Sequence, residues 1–589
     1  MKISNKFILT GVATGFLMVS CSPKPTLPVE KKVEKPVIYQ VMTRLFGNDS
    51  LNNIYNGSIT ENGVGKFNDF TATALDSIHA LGANYIWYTG VIAHASKTDY
   101  SAYGIPANHP GTVKGNAGSP YAIRDYYDVA PDLATNIDNR MNEFEELIKR
   151  THESGMKVII DFVPNHVARE YRSIKSPQKG NGLGDSDDVN TAFSTNNNFY
   201  YLPGESFSPQ FDALGYSEKP AKATGNDVFS ASPSIDDWYE TIKLNYGVDY
   251  VNGRTTHFDT IPSTWSKMRD ILLFWSAKGV DGFRTDMAEM VPVEFWEWTL
   301  PQIKKEYPDM IFIAEVYNPN AYKSYIEQGK FDYLYDKVGL YDTLKYVIQG
   351  KSPASSITVN AQNLKEFQTH MLNFLENHDE QRIANKEFAG SAEAGKPMMI
   401  VSATYTNSPV MLYFGQELGE EAVGAEGFNG DDGRTTIFDY YGLQKIKNWR
   451  NGGIYDGASL TDEEKELRSF YKTLLNLLHS EAAFNTGEMY DLTAANKNNT
   501  AFNTDRQFSY LRKEGNEVIL AIVNFDNEEV TQDVIIPQDA FVKLGIPTDV
   551  SLKGKDLLTG STEASIFTLS QPFHTTLKPY SGKLIKFTF

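Results

Sequence analysis

The chain of 589 residues is long enough for two or three domains with a sizeable core. Hydrophobic residues make up 41% and charged residues 22%, and no segment after the N-terminus is apolar for long enough to span a bilayer, so we expect the body of the chain to be soluble. The formal net charge of −19 disfavours nucleic acid and acidic surfaces as partners, but it leaves binding of a neutral ligand unaffected.

The N-terminus is typical of a targeting segment, because lysines precede a short apolar run that ends before Ser20 and Cys21. The sequence LMVSC resembles a bacterial lipobox, in which the cysteine becomes the lipid-bearing first residue after cleavage. We expect a signal peptide over residues 1–20, a tether rich in Pro and Lys over residues 21–36, and a lipid on Cys21. The alternative is an ordinary secretory signal or a membrane anchor.

The residues around Cys21 also bear on the compartment. No acidic run follows Cys21, of the kind that resembles a surface-export signal in some Gram-negative lineages. We therefore expect a lipoprotein in the outer membrane of a Gram-negative bacterium, facing the periplasm. Cys21 is the one cysteine of the chain, which excludes an intrachain disulfide.

From residue 37 onward, strand-like runs alternate with amphipathic helical stretches, the pattern of parallel βα units. Eight strands are predicted: VIYQVMTRLFG, NYIWYTGV, KVIIDFVPNH, VDGFRTDM, MIFIAEVYN, FDYLYDK, MLNFLENHD and SPVMLYFGQELG. In one intervening helix, NRMNEFEELIKRTHESG, Met141, Phe144 and Leu147 recur at helical spacing and Gly155 ends the helix. Eight such units predict a fold of the α/β class, the (β/α)₈ TIM barrel.

Two further regions are predicted beside the barrel. The interval of residues 167–253 after the third strand is too long for a βα loop, so we expect an inserted domain there. Residues 483–589 are rich in strand-like segments with a turn at Gly515, which predicts a C-terminal antiparallel β-sandwich. The barrel is then assigned to residues 37–166 and 254–482.

Polar residues of the catalytic type follow four of the predicted strands. They are Asp161, Asn165 and His166 at the third strand, Arg284 and Asp286 at the fourth, Glu315 at the fifth, and Asn377, His378 and Asp379 at the seventh. In a (β/α)₈ barrel the active site lies at the C-terminal ends of the strands. We therefore expect these side chains to surround one site.

Three carboxyl groups in this set suit hydrolysis of a glycosidic bond, which needs a carboxylate at the anomeric carbon and a carboxylic acid at the leaving oxygen. Arg284 points to the same strand face as Asp286, and its charge should lower the pKa of that carboxyl and keep it ionised as the nucleophile. Glu315 follows an apolar run and has two anionic neighbours, which suits the general acid. Asp379 is available to bind sugar hydroxyl groups.

Each residue taken alone has a structural alternative. An aspartate at a strand end is more often a helix N-cap or a salt-bridge partner than a catalytic group. Residues 377–379 could form a turn, and Asp161 could orient the loop that follows it. Four motifs in order, each on the expected strand, favour the catalytic interpretation over these alternatives.

The segments DFVPNH, GFRTD, AEV and ENHD are similar to the four signature regions of the α-amylase superfamily, glycoside hydrolase family 13. The resemblance covers most of the mature chain. It implies a retaining mechanism with a covalent glycosyl-enzyme, in which Asp286 is the nucleophile and Glu315 the acid/base. Asp379 would bind and distort the sugar at the cleaved side.

The same resemblance implies which residues bind that sugar. Arg284, His166 and His378 would contact it. Tyr121, in the segment GSPYAIRDYYDV, resembles the tyrosine that stacks on it, and Asp125 resembles the acid that follows this tyrosine in the family. The implied substrates are starch-derived α-glucans or maltooligosaccharides, cleaved mainly at α-1,4 bonds.

One departure from the family pattern bears on specificity. After Asp286 the chain continues Met287-Ala288-Glu289-Met290, whereas many endo-acting α-amylases carry Lys-His at the last two positions. This departure argues against a standard endo-amylase and favours short maltooligosaccharides. A glucanotransferase or trehalose synthase is one alternative, because sugar can capture the same intermediate. A non-catalytic, membrane-anchored glucan-binding protein is another, although it would not need all three carboxyl groups.

A calcium ion is the one cofactor expected. Asn165 matches a common calcium-ligand position of the family, and the acidic loop GDSDD in the inserted segment could supply further oxygens. The alternative is that these acidic residues are merely solvated. No organic cofactor is expected, and protein partners are not predicted.

Overall fold

The computed structural model describes residues 35–177, 180–424, 427–428 and 430–589. The predicted signal peptide, Cys21 and most of the tether lie outside the described residues. Within the described ranges, no helix combines the length and the hydropathy needed to cross a membrane.

Eight parallel strands close into a barrel, and each of the eight predicted strand sequences contributes one of them. They are β1 (Val37–Met42), β2 (Tyr85–Thr89), β3 (Lys157–Phe162), β4 (Gly282–Thr285), β5 (Ile311–Ala314), β6 (Tyr333–Tyr335), β7 (Met371–Phe374) and β8 (Val410–Tyr413). Each strand pairs with its neighbour in sequence, and β1 pairs with β8 to close the barrel. Strands of a parallel barrel are buried on both faces, which is why they read as apolar runs. The predicted (β/α)₈ fold is confirmed.

Helices connect most of these strands. They are Ala72–Leu81, Arg140–Glu153, Ser263–Ala277, Val293–Glu306, Asp342–Ile348, Ser356–Leu364, Gly395–Thr404, Gln444–Arg450 and Asp462–Ser480. The helix predicted from NRMNEFEELIKRTHESG is Arg140–Glu153, with Phe144 and Leu147 fully buried. Gly155 follows this helix with φ of 85°, a backbone conformation that glycine adopts without strain. Between β5 and β6 the connection contains a π-helical turn, Ser324–Gln328.

Between β3 and the helix Ser263–Ala277, the chain makes a long excursion built from short paired strands. The strand His166–Ala168 pairs with Thr241–Lys243, Tyr201–Leu202 pairs with Ala221–Lys222, and Val248–Asp249 pairs with Thr255–Thr256. A small apolar cluster formed by Phe207, Ala213, Ala221 and Ala231 packs inside the excursion. The predicted domain boundaries at residues 167, 253 and 483 stay predictions.

The C-terminal region contains an antiparallel sheet of six strands, as the sequence predicts. In spatial order they are Glu488–Asp491, Gln507–Glu514, Glu517–Asn524, Ser581–Thr588, Leu552–Asp556 and Thr562–Phe567. A separate pair, Val530–Val534 with Phe573–Leu577, lies in the same region. The predicted turn at Gly515 is a two-residue hairpin connection, since Glu514 pairs with Glu517. An apolar cluster that includes Leu520, Phe541 and Phe567 forms the core here.

Candidate active site

The ends of β3, β4 and β5 bring the predicted catalytic residues to one edge of the barrel. Arg284 on β4 stands in register with Asp161 on β3. The backbone N–H of Asp286 donates to the carbonyl of the last residue of β3, and that of Glu315 donates to the carbonyl of the last residue of β4. Asp286 and Glu315 therefore lie directly beyond two adjacent strands, at the barrel edge that carries active sites in this fold.

The guanidinium of Arg284 connects these groups and is fully buried. Its Nη1 donates to Asp286 Oδ1 at 2.9 Å and lies 3.4 Å from Asp161 Oδ1. Its Nη2 lies 2.7 Å from Glu315 Oε2, and its Nε donates to the hydroxyl of Tyr335 at 3.1 Å. Because a guanidinium is a rigid planar fork, one side chain holds both carboxyl groups side by side in a fixed orientation.

Glu315 is held by donors on both of its oxygens. The backbone N–H of Met287 donates to Oε2 at 2.7 Å, and the hydroxyl of Tyr317 donates to Oε1 at 2.6 Å. Met287 adopts φ of 43°, a left-handed conformation that costs a residue with a Cβ about 1 kcal/mol. Backbone strain of this kind clusters at functional sites, and here it occurs at the residue whose N–H contacts Glu315.

Asp379 lies on the loop after β7 and is the most open of these carboxyl groups, with 30% of its side chain exposed. His378 Nε2 lies 3.0 Å from Asp379 Oδ2. Gln40 Nε2 lies 2.8 Å from His378 Nδ1, so Gln40 holds the imidazole ring from the side opposite Asp379. Asn377 shapes the turn, since its Oδ1 accepts the backbone N–H of Asp379 at 2.8 Å.

Tyr121 and His166 complete the ring of polar side chains. The Tyr121 hydroxyl lies 2.5 Å from His378 Nε2, and the two rings are stacked with centroids 5.2 Å apart. His166 Nε2 lies 4.0 Å from Asp286 Oδ2. Every catalytic and substrate-binding residue predicted from the sequence therefore converges on one site, while the role of each stays a prediction.

Two further acidic residues lie next to the site and hold neighbouring side chains and a loop in place. Asp161 accepts the indole N–H of Trp87 at 2.9 Å and contacts Tyr121, so it holds the side chains around Arg284 in place. Asp125 accepts the hydroxyl of Ser173 at 2.6 Å and the backbone N–H of Ile174 at 2.8 Å. It anchors the loop that follows the strand His166–Ala168.

Burial raises the pKa of Asp286 well above its ordinary value. Arg284 lowers that pKa, but Glu315, Asp161 and Asp379 raise it further. Arg284 lowers the pKa as expected, but the expectation that it would keep Asp286 below its ordinary pKa is wrong, because burial and three neighbouring carboxyl groups outweigh one guanidinium. It follows that Asp286 retains a proton more readily than an isolated aspartate would.

The pKa values of Asp379 and His166 shift in directions that suit substrate binding. Burial raises the pKa of Asp379, but His378 and Arg284 lower it more, so it ends below its ordinary value and the group is ionised. Burial, with the charge of Lys243, lowers the pKa of His166 to about 3, which makes its imidazole neutral at neutral pH. The site thus presents an anionic acceptor and a neutral ring to a ligand.

The surroundings of Asn165 do not fit the predicted calcium ion. Asn165 Oδ1 accepts a hydrogen bond from Lys243 Nζ, and Asn165 Nδ2 donates to the Gly225 carbonyl at 2.8 Å. In the acidic loop, the carboxylate of Asp187 accepts backbone N–H groups instead. Across the described part of the chain, no three His, Cys, Asp or Glu side chains are grouped so that they could hold a metal ion.

Five residues at or beside the site were not predicted: Gln40, Trp87, Lys243, Tyr317 and Tyr335. A polar or indole side chain within an apolar barrel strand was a usable signal for Gln40 and Trp87. Tyr317 lies two residues beyond the predicted acid, and Tyr335 ends a predicted strand, so the strand-end rule could have found both. The sequence around Lys243 carries no such signal.

Comparisons with known proteins identify the family of the chain. A family model described as the alpha amylase catalytic domain matches residues 54–453, a segment that contains every catalytic residue discussed above. Alpha-amylase 3 of Dictyoglomus thermophilum is 25% identical over 71% of this chain and 79% of the relative, and a cyclomaltodextrinase of a Bacillus species is 22% identical over 77% and 64%. The crystal structure of a maltogenic alpha-amylase, AmyB, from Thermotoga neapolitana has the same fold, with a TM-score of 0.59 at 21% identity over 94% of this chain and 99% of that one. Because the matched family segment spans more than half of the sequence, the chain belongs to the alpha-amylase family and is an enzyme of the glycosidase class.

Proposed function

We propose that the protein hydrolyses α-1,4-glucosidic bonds in starch-derived glucans and maltooligosaccharides with retention of configuration. The observation that carries this proposal is the shared guanidinium of Arg284, which contacts both Asp286 and Glu315. A retaining glycosidase needs two carboxyl groups that are close together and fixed relative to one another. Membership of the alpha-amylase family supports the choice of α-glucans.

Asp286 is the nucleophile, and its two carboxylate oxygens differ in their hydrogen-bond partners. Oδ1 is held by Arg284, whereas the buried Oδ2 accepts no hydrogen bond from the described residues. Oδ2 is therefore the oxygen that bonds to the anomeric carbon as the glycosidic bond breaks. Because this oxygen is fixed and desolvated, no hydrogen bond has to break before it attacks, which lowers the barrier.

Glu315 supplies the proton that the leaving oxygen takes up. In the substrate complex Glu315 must hold a proton while Asp286 is ionised, because the first acts as the acid and the second as the nucleophile. In the second step the Glu315 carboxylate removes a proton from water as the water oxygen bonds to the anomeric carbon, which releases Asp286. Arg284 stays in contact with both groups while charge moves between them.

The remaining residues bind the sugar at the cleaved side. Asp379 and His378 offer an anionic acceptor and a ring N–H to sugar hydroxyl groups. Tyr121 offers an aromatic face, and the neutral imidazole of His166 lies beside Asp286. Hydrogen bonds to hydroxyl groups that strengthen as the ring flattens are the means by which such a site stabilises the transition state.

The test is product analysis over time by chromatography, with maltoheptaose, starch, pullulan and cyclodextrins as substrates. We expect shorter maltooligosaccharides from the native protein and a loss of about 10⁴-fold or more in kcat for Glu315→Gln, the size seen when a central catalytic group is removed. The matched control is Glu143→Gln, because Glu143 is also buried but accepts backbone N–H groups of a peripheral loop.

Each outcome decides between the proposals. Products shorter than the substrate support hydrolysis, and their ladder separates endo from exo cleavage. Products longer than the substrate favour a glucanotransferase. If the native protein binds maltooligosaccharides but cleaves none, it is a glucan-binding protein and the hydrolase proposal fails.

We also propose that the mature protein is anchored by a lipid on Cys21 in the outer membrane of a Gram-negative bacterium, facing the periplasm. The sequence LMVSC supports this. Metabolic labelling with radioactive palmitate should label the native protein and not Cys21→Ala. An unlabelled native protein would overturn the anchor.

A further inference from the structure

Lys243 ends the strand Thr241–Lys243 and is 2% exposed. Its ammonium contacts three oxygens of different kinds: the amide Oδ1 of Asn165, the carboxylate Oδ1 of Asp227 at 2.7 Å, and the backbone carbonyl of Met290 at 3.3 Å. Carboxylate, amide and backbone carbonyl oxygens are the ligands that calcium takes in proteins. The three oxygens come from separate parts of the chain, and Lys243 is the cation they share.

The ammonium is well compensated for a buried charge. Burying an unpaired ammonium costs several kcal/mol, so the group must be paired and hydrogen-bonded. Asp227 balances its charge, the two other oxygens accept its protons, and the ring of Tyr250 lies 5.3 Å from Nζ. The strand pairing of Lys243 with His166 fixes where the ammonium lies relative to Asn165.

We infer that Lys243 is a built-in cation that takes the place of a calcium ion at Asn165. The carboxylate of Asp227 faces the ammonium of Lys243 and, at 3.9 Å, the guanidinium of Arg254, so no negative charge is left unmatched. A divalent ion added to the same oxygens would compete with Nζ for Asn165 and would lie against a like charge. The wall of the active site around Asn165 therefore keeps its shape without a metal.

Lys243 acts on the catalytic site only through other residues. Asn165 Nδ2 lies 3.1 Å from His166 Nδ1, and His166 Nε2 lies 4.0 Å from Asp286 Oδ2. The ammonium thus fixes the orientation of Asn165, which in turn limits how the His166 ring can turn. Lys243 is a positioning residue, and its loss should lower the stability of the fold as well as the rate.

The first test uses the native protein and calcium alone as the probe. We expect calorimetric titration to detect no calcium binding at Asn165, and we expect the same Tm in EDTA and in millimolar calcium. Binding of one calcium ion per chain that is lost in Asn165→Ala, together with a lower Tm in EDTA, would overturn the inference. This measurement does not depend on whether any lysine variant folds.

The second test replaces the cation. Lys243→Ala removes the ammonium but leaves the oxygens of Asn165, Asp227 and Met290 facing the vacated space. We expect a lower Tm than that of the native protein, and a Tm that rises when calcium is added, because the ion can now take the place of Nζ. An unchanged Tm in this variant would count against the inference.

Lys35→Ala is the matched control. Lys35 is also buried, at 3% exposure, and its ammonium contacts three oxygens, but all are backbone carbonyls. Because no carboxylate is among them, we expect a lower Tm without a response to calcium. If Lys35→Ala regained stability in calcium as fully as Lys243→Ala, the response would be unspecific and the inference would fail. Neither measurement involves hydrolysis, so a failure here is distinct from a failure of the proposed function.

Discussion

Two buried groups of charges lie next to each other in this protein, and they are balanced differently. In the first, the Arg284 cluster, the carboxyl groups of Asp161, Asp286 and Glu315 all lie within 3.4 Å of one guanidinium. In the second, the Lys243 cluster, one ammonium faces the single carboxylate of Asp227 and two neutral oxygens. The first cluster has an excess of acid, and the second has none.

This difference in charge balance indicates which of the two buried clusters is suited to catalysis. The excess of carboxyl groups, together with burial, raises the pKa of Asp286 and gives the Arg284 cluster a carboxyl group that can gain and lose a proton. In the Lys243 cluster the one carboxylate is paired with cations, so the cluster serves to hold structure. Buried charge is costly in both, which indicates that the excess at Arg284 is retained for function.

Among the substitutions that test this comparison of the two clusters, the largest effect is expected from replacing the planar guanidinium of Arg284 with the point charge of a lysine. Arg284→Lys keeps one positive charge, but an ammonium cannot contact Asp286, Glu315 and Tyr335 in the present geometry. We expect kcat to fall about 10²- to 10³-fold, because misplacing two reacting groups by about 1 Å has this cost. Steady-state kinetics on maltoheptaose measures it.

The control for this variant is Arg512→Lys. Arg512 is equally buried, but it donates to the backbone carbonyls of Ala483, Tyr405 and Gly487 beside the C-terminal sheet. It should lower the Tm without changing kcat per folded molecule. If Arg284→Lys kept its kcat, the shared guanidinium would not be what orders the two carboxyl groups.

A smaller effect is expected from removing the hydroxyl that holds Glu315. Tyr317→Phe deletes the hydrogen bond to Oε1 and keeps the ring. We expect kcat to fall about 10-fold with KM nearly unchanged, because the loss of one hydrogen bond costs up to about 1.5 kcal/mol. A change confined to KM would mean that Tyr317 binds substrate and does not position the acid. Tyr335→Phe offers the comparison, since its hydroxyl contacts Arg284.

The smallest effect is a shift in pH dependence. Asp286 must be ionised to attack, so kcat/KM should fall as the pH drops through its raised pKa. Asp161 contributes to that rise, and Asp161→Asn removes its charge while leaving an amide oxygen for Trp87 and Tyr121. We therefore expect the acidic limb of the kcat/KM profile to move to lower pH. A limb that stayed in place or moved up would contradict the account of the Arg284 cluster.

Much of the fold and the ring of the site followed from local sequence features. A barrel strand is buried on both faces, so it must be an apolar run, and eight such runs separated by helical stretches fixed the architecture. Polar residues directly after four of the runs had to meet at one edge, because all strands of the barrel point the same way. Alternation along β4 placed Arg284 and Asp286 on one face.

Tertiary structure alone decided the electrostatics. The pKa of Asp286 depends on its depth of burial and on carboxyl groups from three other strands, none of which is a local property. Likewise Gln40 reaches His378 across 338 positions in the chain, and Tyr335 reaches Arg284 across 51.

The surroundings of Asn165 show most directly what could not be predicted from the sequence. The motif around Asn165 predicts a calcium ligand, which stays a prediction, whereas in the structure Asn165 Oδ1 accepts a hydrogen bond from Lys243 Nζ. Lys243 lies 78 positions away in the chain, and the pairing of Lys243 with His166 brings its ammonium to Asn165. The sequence by itself determined where polar side chains gather, whereas the folded chain decided which of them face one another, because electrostatic partners are selected by distance in space.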